Sequence, residues 1–129
     1  MSDLLQDFIQ YFTDNNIVQG DGIDAFRDAA PEAPDSLVVV YEYGGDSTVP
    51  QIASANRSIQ IVARDTSATA AKLKARELFT ALETEEGILN LTTQRWCMIH
   101  PRNTPFKIKV DGQSRIYYGF NLGVTTYND

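Results

Sequence analysis

One cysteine and one histidine among 129 residues remove several chemistries at once. A single thiol, Cys97, cannot close an internal disulfide, so the chain must fold without covalent staples and suits a reducing compartment. Cys97 and His100 cannot complete a four-ligand metal site, and residues three apart on a strand point to opposite faces. We read Cys97 as core filler and His100 as a strand-end residue, with no metal and no cofactor. His100 is not accompanied by a Gly-x-Ser-x-Gly elbow, which leaves a nucleophilic triad unsupported. Gly20-Asp21-Gly22 lacks the third glycine and the preceding strand of a phosphate loop, and reads as a turn. A calcium loop on Asp14, Asn16, Asp21 and Asp24 fails because Val18 stands where an oxygen ligand belongs. Carboxylates such as Glu42 and Asp46, or Glu85 and Glu86, show no spacing that selects them for acid–base work. The expectation is a protein that is not an enzyme.

Runs of positive charge are also missing. The net charge is −6, and no stretch interleaves Lys or Arg with aromatics, so sequence-specific nucleic-acid binding by counterion release is not expected. Long apolar runs are absent too: none approaches the roughly 20 residues that span a bilayer, and Met1-Ser2-Asp3 has no basic leader. The reading is a protein that does not cross a membrane and suits a reducing cytoplasm. What is present is a normal globular composition, 43% hydrophobic and 10% aromatic, in a chain sized for one domain, residues 1–129.

Residues 3–14 place Leu4, Leu5, Phe8, Ile9 and Phe12 on one helical stripe, ended by Asn15-Asn16. Ile23 and Phe26 suggest a short apolar element, and Pro31 and Pro34 frame an irregular stretch. Residues 37–43 (LVVVYEY) are β-branched and aromatic on both faces, which predicts a central strand. Residues 47–56 are small and polar and read as a mobile loop, followed by a strand over 57–64. A second helix over 67–83 buries Ala71, Ala75, Leu78, Phe79 and Leu82, with Asp65, Thr66 or Ser67 as cap. Residues 95–100 form a third strand. Phe106, Ile108 and Val110 then lead through Asp111-Gly112 into a long strand over 115–126. On that strand Ile116, Tyr118, Phe120, Leu122 and Val124 face one way. Arg115, Tyr117, Gly119, Asn121 and Gly123 form a thin, polar face on the other. The expected fold is a single α+β domain: a mixed, mostly antiparallel sheet, two main helices packed on one face, and a C-terminal β-hairpin. Whether the middle strands pair in parallel stays open.

Four segments carry a resemblance across the chain: Gln19-Gly20-Asp21-Gly22-Ile23-Asp24 with Phe26-Arg27; Tyr41-Glu42-Tyr43; Arg57-Ser58-Ile59-Gln60-Ile61 with Arg64-Asp65; and Trp96-Cys97, then Pro105-Phe106-Lys107-Ile108, closing on Phe120-Asn121-Leu122-Gly123-Val124-Thr125-Thr126-Tyr127. In this order the chain resembles the phage minor capsid protein family of Gram-positive phages and prophages, and is similar to tail terminator (tail completion) proteins. The resemblance implies a virion structural protein at the head–tail junction, capping the tail as a ring, most simply a homo-hexamer. The implied partners are other copies of itself, the tail tube protein and the head–tail connector proteins, with the genome passing through the lumen.

Size allows this. A chain of this length has a radius of gyration of roughly 14 Å, hence a diameter of about 36 Å; six in a ring leave a hole of about that width. Four would leave only about 15 Å, too narrow for duplex DNA at about 20 Å. Six copies at −6 each line the ring with about −36, which repels phosphate and lets DNA slide. A ring needs two different surfaces that meet. The candidates are the loop carrying Asp46, Ser47 and Pro50, and the polar face with Tyr117 and Asn121. Arg57, Arg64 and Arg115 are available to pair with a neighbour's carboxylates. The alternative is a soluble adaptor or assembly chaperone of phage morphogenesis that never enters the particle.

Overall fold

The computed structural model describes residues 4–45, 54–83, 88–92 and 95–127, with side chains except those of 44–45, 54–56, 88–92, 95–96 and 126–127. The predicted loop residues 47–53, with Asp46 before them, and the side chain of Trp96 therefore lie outside the described residues.

Helix α1 (Leu4–Asp14) forms where its sequence repeats apolar residues at helical spacing, and Leu4, Leu5, Phe8, Ile9 and Phe12 are all buried. It stops because Asn16 turns left-handed at φ 61°. That lets Ile17 N–H reach back to Phe12 O at 2.9 Å and Asn16 N–H to Thr13 O at 3.0 Å, the Schellman arrangement, with Ile17 buried behind it. Helix α2 (Ala68–Glu83) starts at Ser67, whose Oγ accepts the Ala70 N–H at 3.2 Å. Its stripe of Ala71, Ala75, Leu78 and Leu82 is buried, and Phe79 meets Phe120 edge-on at 5.1 Å.

The strands are β1 (Ala25–Arg27), β2 (Leu37–Gly45), β3 (Ser54–Asp65), β4 (Ile88–Thr92), β5 (Arg95–Pro101), β6 (Phe106–Val110) and β7 (Ile116–Tyr127). They make one sheet in the order β1-β2-β3-β7-β5-β4, with β6 also paired to β7. Only β1–β2 is parallel among the described pairs; the middle strands are antiparallel. The long β3–β7 ladder, Ser54↔Tyr127 to Asp65↔Ile116, is the spine. Along the opposite edge of β7, β5 covers one end and β6 the other. The break between them is bridged: Arg102 N–H donates to Asn121 O, and Asn103 Oδ1 accepts the Asn121 N–H, each at 2.9 Å.

Both helices pack on one face of this sheet, so the expected α+β layout with its C-terminal hairpin holds. Val38, Val40, Ile59, Ile61, Phe120, Leu122 and Val124 point into the helices with Cys97 and Ile99. Cys97 is buried and His100 exposed, as strand alternation requires. Three details differ from the sequence reading. Ile23 is 58% exposed, and the short apolar element is instead β1, held by backbone pairing to β2. Strand β3 begins at Ser54, three residues earlier than expected, because β7 is long enough to pair it. Strand β4, which polarity alone does not mark, pairs with β5.

Candidate functional site

Neither helix contributes to the small cluster on the other face of the sheet, where Leu37, Val39, Val62 and Tyr117 are buried with Phe26, Ala30, Tyr41 and Ile108 against them. What covers these residues is a strap, residues 28–36. It begins where Asp28 turns left-handed at φ 60° and its Oδ1 accepts the Glu42 N–H at 3.2 Å. The chain then crosses to the β6–β7 turn before entering β2.

Two buried arginines hold the strap. Arg64, 2% exposed, donates to Pro34 O at 2.6 Å, Pro31 O at 2.8 Å, and Glu32 O and Asp35 O at 3.3 Å. Its guanidinium also lies 5.8 Å from the Tyr117 ring centre. Arg115, 5% exposed, donates to Glu32 O at 2.5 Å and to Asp111 Oδ2 at 2.8 Å. The Glu32 and Asp35 carboxylates stand 3.8 and 3.6 Å from it, and Gln113 donates to Glu32 Oε1. Carbonyls suit buried guanidinium because five donors in a planar fork can satisfy several acceptors at once.

Asp111 anchors the turn from below. Burial alone would raise its carboxyl. The Arg115 and Gln113 backbone N–H groups, the Arg115 guanidinium and the Tyr117 hydroxyl outweigh that and hold it at about 2. Arg115 is also shifted upward: burial opposes its charge, but the Asp111 carboxylate beside it prevails.

Beyond the strap the face stays open as a groove of about 690 Å³. Tyr41, Tyr43 and Tyr117 give it aromatic walls, Val62 and Ile108 an apolar floor, and Gln60 and Asn121, bonded to each other at 3.1 Å, a polar one. Lys109 Nζ sits 4.7 Å over the Tyr117 ring. Burial, with Tyr117 adding to it, raises the Tyr41 hydroxyl and keeps it neutral. Gly119 is required beneath: a Cβ there would meet Ile61 O at 2.3 Å. At the far end Arg102 lies across Gly123 and donates to Ser58 Oγ at 3.2 Å.

Of the residues singled out from sequence, Tyr117 and Asn121 line this groove. Arg57 sits near it, clasping Glu42 with two bonds of 2.6 Å. Arg64 and Arg115 use their donors inside the chain, bracing the face from the end. Asp46, Ser47 and Pro50 lie outside the described residues. Sequence reasoning placed Asp111 in a turn and Tyr41 on a strand, but named neither them nor Asp28 and Arg102 as site residues. The one available signal was that arginines on the polar face of interior strands need acceptors close by.

Among the described residues no three His, Cys, Asp or Glu side chains gather as a metal site would need, and no helix is long and apolar enough to cross a membrane. The geometry is an open, tyrosine-walled groove on a sheet face braced by buried arginines, on an α+β domain. Comparison makes this specific: the family model described as bacteriophage tail terminator protein matches residues 8–128, and the chain belongs to that family. It is a family of phage structural proteins rather than enzymes, so the chain is a virion component that associates with other tail or head proteins. No curated protein matches the chain.

Proposed function

We propose that this protein completes the phage tail by capping it as a closed homo-hexameric ring at the head–tail junction. In that position it meets the tail tube protein on one side and the head–tail connector on the other, with the genome passing through its lumen. One observation supports this above the rest: a sheet face braced by two buried arginines yet left with an open, tyrosine-walled groove. Buried guanidinium is costly to desolvate, so its use to stiffen an uncovered surface suits a face that another protein covers. The candidate subunit contact is the groove side with Tyr117, Asn121 and Arg57, together with Asp46, Ser47 and Pro50. Arg64 and Arg115 act there as internal supports. The protein is assembled in the host cytoplasm and functions in the virion, as a minor component beside the capsid.

Light scattering across a concentration series tests the ring. Six copies of 14.4 kDa should appear as a species of about 86 kDa, in free solution or on release from tails. A protein that stays monomeric and is never recovered from tails would instead fit the soluble adaptor reading.

A further inference from the structure

Toward the far end of the open face three strands line up in one row. Ser58 on β3 stands opposite Gly123 on β7, which stands opposite His100 on β5. The guanidinium of Arg102 lies over this row. Its Nη1 donates to Ser58 Oγ at 3.2 Å, and the Arg102 backbone N–H donates to Asn121 O at 2.9 Å, so both ends of the residue are tied to the sheet. A Cβ at position 123 would stand 3.2 Å from Nη2 and 3.5 Å from Nε, nearer than the 3.7 Å to Cζ. The glycine therefore leaves clear the guanidinium edge that carries Nε and Nη2.

That edge is a fork for a carboxylate. Arg57 shows what the same two atoms do elsewhere in this chain: its Nε and Nη2 clasp Glu42, each at 2.6 Å. Arg27 has Asp21 at 3.3 Å, Arg115 has Asp111 at 2.8 Å, and Arg64 is spent on four carbonyls. Among the described residues Arg102 has no carboxylate partner, and Ser58 Oγ is the one acceptor of its side chain. The charges nearby on the face lean the same way. Glu42 is taken by Arg57, and Asp28 accepts the Glu42 N–H, whereas Lys109 is set over the Tyr117 ring. The chain as a whole carries seventeen acids against eleven bases. Copies that approach one another repel unless a cation not neutralised by its own chain stands at the contact. Arg102 is such a cation, and being already held it loses little side-chain freedom on pairing.

We infer that Arg102 anchors the contact between protomers, its Nε and Nη2 receiving an Asp or Glu carboxylate of the next copy over Gly123. Asn121, which lines the tyrosine-walled groove, is two residues along β7, about 7 Å away, so one segment of the neighbour reaches both. This assignment deepens the ring reading, on which it rests, and names the chemistry of its lateral contact.

Two variants and a cross-link test it. Arg102→Gln removes the fork; Gly123→Val keeps the charge but crowds the fork, which separates a seated carboxylate from net charge. Each should assemble about tenfold or more weakly than the unaltered protein, by mass photometry in solution or by copies bound per purified tail. Thermal unfolding shows whether each is folded. Arg102 is exposed, so Arg102→Gln decides the matter should Gly123→Val fail to fold. Arg102→Lys places a primary amine at the site. In purified tails a water-soluble carbodiimide then joins that amine to a carboxylate within reach, the water lost converting the reagent to a urea. The expected product is two chains of 14.4 kDa joined, about 29 kDa, with position 102 in the cross-linked peptide. Normal assembly by either folded variant, a cross-link from position 102 to a different protein, or a defect confined to retention of duplex DNA overturns the assignment and leaves the ring standing. An unaltered protein that forms no ring in solution or on tails overturns the ring reading and this contact with it.

Discussion

Arg64→Met removes the guanidinium while keeping much of the stem, and isolates what the buried charge contributes to the strap. Arg64 makes four bonds to carbonyls, two short at 2.6 and 2.8 Å and two long at 3.3 Å. Counting only the short pair, at about 1.5 kcal/mol for each bond to a charged donor, gives a loss of about 3 kcal/mol. The opposing effect is desolvation, since replacing a buried ion by an apolar residue of similar volume is often neutral or stabilising. Here the acceptors are backbone carbonyls that stay behind when the ion leaves, so the loss should win. For a chain of this size about 3 kcal/mol lowers Tm by about 10 °C. Calorimetry measures it, and hydrogen exchange should show residues 28–36 losing protection while α2 keeps its own. Arg64→Lys should recover only part, because a compact ammonium lacks the planar fork that reaches the Pro31, Glu32, Pro34 and Asp35 carbonyls together. An Arg64→Met variant with unchanged Tm and an equally protected strap would refute the reasoning.

Asp111 is held at about 2 against an ordinary 3.8, so it contributes stability that is present above about pH 4 and lost as pH falls toward 2. The stability difference between the unaltered protein and Asp111→Asn should therefore shrink over that window in acid denaturation curves; a constant gap would show that the carboxylate's charge is not what matters. Gly119→Ala should destabilise by several kcal/mol, about 2–4, because the new Cβ meets a backbone oxygen that cannot rotate away; urea midpoints measure it, and a neutral change would contradict the packing described. Cys97→Ala and His100→Ala should leave virion yield intact at permissive temperature, and a folded, incorporated variant without infectivity would revive chemistry on β5.

Much of the fold is legible in sequence wherever one face is buried and the other wet. Leu4 to Phe12 and Ala71 to Leu82 repeat at helical spacing, and Phe120, Leu122 and Val124 alternate with Asn121 and Gly123, so α1, α2 and β7 stand out. The three residues of β1 are too few for any period, and their pairing depends on β2 lying alongside. The insertion of β7 between β3 and β5 is likewise a long-range outcome that local pattern does not encode. The site is harder still. A strand arginine on a polar face looks solvated, and the acceptors of Arg64 lie about thirty residues away, on a strap without secondary structure.

The central claim is a ring at the end of the tail, and cryo-electron microscopy of purified tails, with this protein labelled, tests it most directly. The account predicts six-fold density at the head-proximal end, one labelled copy per asymmetric unit, open along the axis wide enough for duplex DNA. Tails complete at that end without the label would contradict it.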